Sequence, residues 1–129
     1  MDVKSFVEKH RIRMHSERVQ ANPYIDDWPG ATHWRCKLTY QRRQLTVPYS
    51  MGSAYTGEPK IADVLQCLVD EATSFENARD FEDWAEALGF DPDSRKAERV
   101  FRQVKKNSRG LKRLLGDAYD RLLWHVKRR

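Results

Sequence analysis

From residue 33 onward, the hydrophobic residues of this chain change their spacing once, from every second residue to every third or fourth. Two alternating runs, separated by a short polar link, lie between residues 33 and 49, and such runs predict a β-hairpin. After residue 57 the apolar positions recur at helical spacing. The change predicts an α+β fold, in which a small antiparallel sheet of about three strands packs against a C-terminal set of three to four helices.

The hairpin pattern also assigns faces and an edge. Apolar side chains occupy alternate positions from Trp34 to Tyr40 and again from Leu45 to Tyr49. Pro48 cannot donate a ladder hydrogen bond, so the second strand is expected to lie at an edge or to end there. Residues 11–20 read as a weaker strand and residues 2–10 as a short helix.

Sequence patterns typical of helices occupy most of residues 57–129. The spacing predicts a helix over about 59–73, with Pro59 in its first turn, and a short one over about 81–88, capped by Asp80 and stopped at Gly89. A further helix is expected to start at Asp91-Pro92 and to break or kink at 107–110, before a long apolar stripe from Leu111 to Val126. The predicted core comprises Trp34, Cys36, Leu38, Leu45, Val47, Ile61, Leu65, Leu68, Phe81, Trp84, Val100, Phe101, Leu111, Leu115, Leu122 and Leu123.

Length and composition bound the class of protein. The chain has 129 residues, which fits a single domain with a β-rich half at 1–56 and a helical half at 57–129. No apolar run approaches the roughly 20 residues of a membrane span, and the charged N-terminus lacks a signal-peptide core. We therefore expect an intracellular protein with no membrane contact and with reduced thiols.

Charged residues are segregated along the chain, although the net charge is only +5. Residues 1–56 hold nine Lys/Arg against five Asp/Glu, residues 57–92 hold two against ten, and residues 93–129 hold thirteen against four. The acidic and basic blocks either face each other and partly neutralise, or each faces solvent and gives the molecule a dipole that steers charged partners. The sequence leaves both arrangements open.

No motif for catalysis or metal binding stands out. CxxC, HExxH, GxSxG and His pairs at i, i+4 spacing are all missing from the sequence. The glycine-containing stretch 50–57 precedes a helix and could meet a phosphate, but it lacks the P-loop lysine and acidic residues follow it. Acids such as Asp80, Glu82 and Asp83 complement the dipole of a helix start. We therefore expect no enzyme, no cofactor and no metal site.

Two features remain as candidate binding surfaces. Basic residues on the C-terminal helices lie mostly off the apolar stripe and could neutralise phosphates or meet an acidic protein. Three aromatic residues, Tyr24 and Trp28 in a proline-containing loop and Trp124 opposite the last apolar stripe, are candidates for a protein interface. The long helix with Trp124 also leaves a homodimer open. The basic candidates are Arg95, Arg99, Arg102, Lys105, Lys106, Arg109, Lys112 and Arg113.

The stretch from Leu45 to Leu123 resembles a family of small proteins of bacterial phages and mobile elements. The matching pieces are LTVPYSMGSAYTGEPKIADVLQCLVDEA (45–72), ENARDFEDWAEALGFDPDSRKAERVF (76–101) and LKRLLGDAYDRLLW (111–124). The resemblance carries over no catalytic residue. It implies an accessory phage protein in the cytoplasm of a bacterial host, and such proteins are often inhibitors of host defence, including anti-CRISPR proteins.

Two functional hypotheses follow. The resemblance implies a non-enzymatic inhibitor that binds a host defence complex, for which a CRISPR effector is the expected partner. The charge of residues 93–129 instead indicates a nucleic-acid-binding accessory protein that uses the basic helical face. The two hypotheses are compatible, because a basic face can also occupy an RNA-bearing complex.

Overall fold

The computed structural model describes residues 2–22, 30–52, 55 and 57–127, with side chains as far as residue 124. The α+β class predicted from the change of spacing is confirmed. None of the helices in these ranges is long and apolar enough to cross a bilayer. The elements are α1 (Val3–His10), β1 (Arg13–Val19), β2 (Thr32–Tyr40), β3 (Arg43–Met51), α2 (Ile61–Asn77), α3 (Phe81–Ala87), α4 (Arg95–Leu115) and α5 (Asp117–Lys127).

The three strands form an antiparallel sheet in the order β1-β2-β3. The predicted hairpin is β2 and β3, which pair Cys36 with Val47 and Leu38 with Leu45 across the ladder. Pro48 does not end its strand, since β3 continues to Met51. The position of β3 at the sheet edge explains how the strand accommodates a residue without an amide hydrogen.

One face of the sheet packs against the helices and the other faces solvent. Cys36, Leu38 and Val47 are all buried on the inner face, where they join apolar side chains of α1, α2, α4 and α5. The outer face carries exposed polar residues such as Lys37 and Thr46. This one-sided packing is what the alternating pattern requires, because successive side chains of a strand point to opposite faces.

A second apolar cluster lies beneath α3. Trp84 is buried and stacks on Phe90 with ring centroids 5.5 Å apart, while Phe101 meets it edge-on at 5.1 Å. The helix starts as predicted, because the Asp80 carboxylate accepts the amide hydrogen of Asp83. Four residues of the predicted core are only partly buried, namely Ile61, Phe81, Val100 and Phe101.

The predicted helix break at 107–110 is wrong. Helix α4 runs through this stretch without interruption, because Asn107 donates to Glu71 Oε2 of α2 at 3.0 Å and Gly110 packs against Leu45 of β3. The chain breaks instead at Gly116, whose φ of 55° lies in the left-handed region that favours glycine. The apolar stripe that sequence reasoning assigned to one helix is therefore shared between α4 and α5.

Two predicted helix starts are also corrected. Helix α4 begins at Arg95 rather than at Asp91-Pro92, because the Ser94 hydroxyl accepts the amide hydrogen of Ala97 at 3.0 Å and caps the helix there. Helix α2 begins at Ile61, two residues after Pro59, and extends to Asn77. Both helices therefore begin later than predicted, and α2 also continues past its predicted end at residue 73.

Candidate nucleic-acid interface

Helix α4 is held in place along its inner side. Val104, Leu111 and Leu115 are buried in the two apolar clusters or at their margins. Gly110 allows the helix to approach Leu45 of β3, since a Cβ at this position would collide with the leucine side chain. A helix fixed in this way presents its outer side chains from a rigid base.

The outer side of α4 carries a row of cations, which we name the α4 stripe. An α-helix turns by about 100° per residue, so the six positions of this row lie within an arc of about 80°. Eighteen residues separate the first cation from the last, which corresponds to about 27 Å along the helix axis. All six side chains are exposed. The α4 stripe consists of Arg95, Arg99, Arg102, Lys106, Arg109 and Arg113.

The other two basic candidates lie beside the α4 stripe rather than on it. Lys105 and Lys112 project about 80–100° to one side of its centre on the helical projection. Lys105 is half-buried, whereas Lys112 is exposed. The structure therefore brings six of the eight predicted cations into one row and leaves two on its flank.

The charge of the α4 stripe is almost uncompensated within its own helix. Glu98 is the single acidic residue of α4, and its Oε2 lies 3.8 Å from Nη2 of Arg102. An exposed pair of this kind contributes little to stability and leaves the arginine able to exchange partners. The stripe therefore presents a nearly uniform positive surface.

Most charged side chains of the acidic block and of α4 are exposed, with Glu71 as an exception because it packs against α4. Asp63 and Asp70 of α2 are exposed, as are the cations of the α4 stripe. The ion pair between Arg79 and Asp83 joins two residues of the acidic block, just as Glu98 joins a residue of its own block. Of the two arrangements that the sequence left open, this geometry favours charges that face solvent.

One cation near the end of the stripe was missed by sequence reasoning. A Cβ built on Gly116 would lie 3.4 Å from both terminal nitrogens of Arg43, so the guanidinium sits at the C-terminal end of α4. The same guanidinium carbon lies 5.6 Å from the ring centroid of Tyr40. Arg43 thus extends the positive surface beyond Arg113, but it belongs to the hairpin, and no spacing along the chain relates the two.

Of the three aromatic candidates, the structure describes only one. Trp124 is 53% exposed on α5, as the helical projection predicted. Tyr24 and Trp28 lie outside the described residues. A tryptophan with this exposure is an uncommon surface residue and is enriched at the centres of protein interfaces.

The structure also reveals a hydroxyl beside an imidazole, which sequence reasoning did not anticipate. Ser50 and His33 are directly opposite each other on β3 and β2, and Ser50 Oγ lies 2.8 Å from Nδ1 of His33. Asn22 Nδ2 donates to the same oxygen at 3.2 Å. The trio ties the start of the β1–β2 connection to β3, and side-chain pairs of this kind stabilise adjacent strands.

A cleft of about 500 Å³ lies between the end of β3 and helix α2. Burial, followed by the nearby carboxylates of Glu71 and Asp70, raises the pKa of Cys67 there to about 12. The thiol is therefore protonated at neutral pH and is a poor nucleophile or metal ligand. Within the described ranges, no group of three His, Cys, Asp or Glu side chains is placed to hold a metal ion.

Comparison with known proteins provides no relative: no family model matches the chain, and no curated protein or solved structure is significantly similar to it. The resemblance of residues 45–123 to phage and mobile-element proteins therefore stays a prediction.

Proposed function

We propose that this protein binds nucleic acid through the sugar–phosphate backbone, with the α4 stripe as the contact surface. The observation that supports this proposal is the alignment of six exposed cations along one side of a helix whose other side is fixed by packing. Duplex DNA carries one negative charge per about 1.7 Å of axis, which corresponds to about two charges per base pair. A row of about 27 Å therefore has the length of about eight base pairs. The scale of the row suits several simultaneous phosphate contacts.

The chemistry of the row favours binding without sequence preference. Contacts to phosphate position a protein on nucleic acid, whereas contacts to base edges read sequence. Arginine predominates in the α4 stripe, and its planar guanidinium binds phosphate oxygens in a bidentate manner. We expect similar affinities for duplexes of unrelated sequence.

Charge reversal on the α4 stripe tests the proposal. The variant Arg99→Glu/Lys106→Glu/Arg113→Glu replaces three exposed cations of the row, and fluorescence anisotropy with a labelled 20-bp duplex measures its affinity. We expect a loss of about 100-fold or more at 100 mM KCl, because three counterion-releasing contacts become repulsive.

The matched control changes the net charge by the same amount elsewhere. Lys4, Lys37 and Lys60 are exposed and lie outside α4. Their triple reversal to glutamate is expected to weaken binding far less than reversal on the stripe. Equal losses in the two variants would mean that net charge, rather than the row, determines binding, and would contradict the proposal.

A second candidate function is inhibition of a bacterial defence system by binding one of its complexes, with a CRISPR effector as the expected target. The specific observation in its favour is the exposed indole of Trp124, together with the resemblance of residues 45–123 to phage proteins. The assay is the plating efficiency of a CRISPR-targeted phage on immune hosts that express the protein. We expect rescued plating that Trp124→Ala reduces, and unchanged plating across several CRISPR types would contradict this function.

A further inference from the structure

A second basic surface lies where α1, β1 and the hairpin turn meet. An open cleft of about 490 Å³ is formed by the C-terminal end of α1, the start of β1 and the end of β2. This volume lies within the range of small-molecule sites. We name it the basic cleft, after its lining residues Lys9, His10, Arg11, Arg13, Thr39, Tyr40 and Gln41.

The lining of the basic cleft is positive and contains no acid. Three of its seven residues, Lys9, Arg11 and Arg13, carry a full positive charge. Burial, with added repulsion from Lys9 and from Arg121 of α5, lowers the pKa of His10. Because the described lining residues include three cations and no acid, the cleft suits an anion better than another cation.

The walls combine these cations with ring surface and hydrogen-bonding groups. The His10 ring packs on Phe6 with centroids 4.1 Å apart and meets Tyr40 nearly edge-on at 6.2 Å. Thr39 and Gln41 add a hydroxyl and an amide to the lining. A phosphate needs the cations, and an attached base or sugar can use the rings, so the lining matches the two parts of a nucleotide.

Backbone strain is concentrated at the same place. Among the described residues other than glycine, only Arg11 and Gln41 have a positive φ, at 53° and 56°. Both line the basic cleft. Arg11 adopts this conformation as the C-cap of α1, and Gln41 adopts it in the turn between β2 and β3. Here they turn the chain on two sides of one opening.

Arg43 lies between the basic cleft and the C-terminal end of α4. Its guanidinium lies at Gly116, beyond the last cation of the stripe, and over the ring of Tyr40 in the cleft wall. Its Nη2 also donates to Gln41 Oε1 at 3.1 Å. One guanidinium thus contacts the wall of the basic cleft and lies near the C-terminal end of α4.

We propose that the basic cleft binds the phosphate-bearing terminal nucleotide of a nucleic-acid strand that lies along the α4 stripe. The position of the strand along the α4 stripe rests on the proposed function, whereas nucleotide binding by the basic cleft does not depend on it. Lys9, Arg11 and Arg13 bind the terminal phosphate, and Tyr40 contacts the base or sugar. A terminal phosphate monoester carries more negative charge than an internal diester, so the cleft distinguishes the end of a strand from its interior.

The experiment compares duplexes that differ only at their ends. Anisotropy at 150 mM KCl measures the affinity of one 16-bp duplex with hydroxyl ends, with 5′-phosphates or with 3′-phosphates. We expect one phosphorylated form to bind about tenfold more tightly than the hydroxyl form, as charge-assisted hydrogen bonds to one phosphate imply. Equal affinities of all three duplexes would overturn the proposal.

Variants locate the preference. Lys9→Gln/Arg13→Gln removes two charges from the basic cleft and is expected to abolish the advantage of the phosphorylated end. The control Lys4→Gln/Lys60→Gln removes two exposed charges elsewhere and is expected to retain it. Retention in the cleft variant, or loss in the control, would show that the end is recognised elsewhere and would overturn the proposal.

A mononucleotide tests the basic cleft without the α4 stripe. Titration of the protein with dAMP, followed through the His10 ring signals by NMR, is expected to give saturable shifts at concentrations where inorganic phosphate gives much smaller ones. These shifts are expected even in the stripe variant Arg99→Glu/Lys106→Glu/Arg113→Glu. Loss of duplex binding by the stripe and loss of nucleotide binding by the basic cleft are therefore measured separately. Phosphate alone acting as well as dAMP, or an unresponsive His10, would contradict the nucleotide assignment.

Discussion

At the scale of single residues, the buried polar groups are the least predictable feature of the chain. Glu71 lies on the inner side of α2, where Asn107 Nδ2 donates to its carboxylate and the Cys67 thiol approaches it at 3.9 Å. Burial raises the pKa of Glu71, although both hydrogen bonds act in the opposite direction. The residue type alone would place this carboxylate in solvent, and only the α2–α4 contact explains its position.

Replacement of Glu71 by glutamine is expected to change the free energy of unfolding in a direction that the raised pKa defines. Because the folded-state pKa is raised above the usual 4.5, the wild-type protein loses stability as the pH rises through the interval from about 4.5 to the folded-state pKa. Glu71→Gln removes this loss, so we expect the variant to have a higher free energy of unfolding than wild type at pH 7. The difference is expected to shrink towards pH 4, as measured by urea denaturation.

The control for this prediction is an exposed carboxylate. Glu58→Gln changes the same functional group outside the helix contact. Its effect on stability is expected to stay small and nearly independent of pH. A Glu71→Gln effect that is equally flat, or that grows at acid pH, would contradict the burial explanation.

At the scale of elements, the alternating pattern predicted the hairpin closely, but helix boundaries depended on contacts that no local pattern shows. The Asn107–Gly110 stretch has the composition of a break, yet Asn107 is bonded to α2 and to Gln103 of its own helix, so the helix continues. Gly116 breaks it instead. The cations of the α4 stripe were therefore predictable from the sequence, whereas their alignment on one uninterrupted helix was not.

The contact between α4 and β3 gives a prediction at this scale. Gly110→Ala adds a methyl group that collides with the Leu45 side chain. Overpacking of a core costs about 1–3 kcal/mol, and the higher helix propensity of alanine returns about 1 kcal/mol. We expect Gly110→Ala to lower the free energy of unfolding by about 1 kcal/mol in chemical denaturation.

A double-mutant cycle separates the collision from other effects. Leu45→Val shortens the side chain that Gly110 faces, so its combination with Gly110→Ala is expected to cost less than the sum of the two single changes. Additive costs would mean that the alanine methyl does not meet Leu45, and that α4 does not approach β3 as closely as described.

At the scale of the whole molecule, two basic surfaces come from three separate parts of the chain. The α4 stripe was predictable because its cations share one helix. The basic cleft was not, since Lys9, Arg13 and Tyr40 meet only after α1 and the hairpin have folded together. The fold class was thus predictable from hydrophobic spacing, whereas the basic cleft forms only through tertiary packing.

If the protein acts only through its surface, the Ser50 hydroxyl is expected to be unreactive. Its hydroxyl lies beside His33, as in the first step of nucleophilic catalysis. Tyr49, Ser50 and Met51 all line the cleft between β3 and α2. Ser50 Oγ also accepts a hydrogen bond from Asn22 Nδ2 at 3.2 Å, and a hydroxyl that accepts a hydrogen bond is a weaker nucleophile. We therefore expect a fluorophosphonate probe to leave Ser50 unmodified in intact-protein mass spectrometry, and labelling that Ser50→Ala abolishes would contradict a purely surface-acting protein.

The most direct test of the central claim is the salt dependence of duplex binding by wild type and by Arg99→Glu/Lys106→Glu/Arg113→Glu. The logarithm of the association constant falls linearly with the logarithm of salt concentration, with a slope of about −0.9 for each phosphate neutralised. Six contacts predict a wild-type slope near −5, and the variant is expected to have a slope less steep by about 2.7. Identical slopes for the two proteins would show that these cations do not touch the nucleic acid.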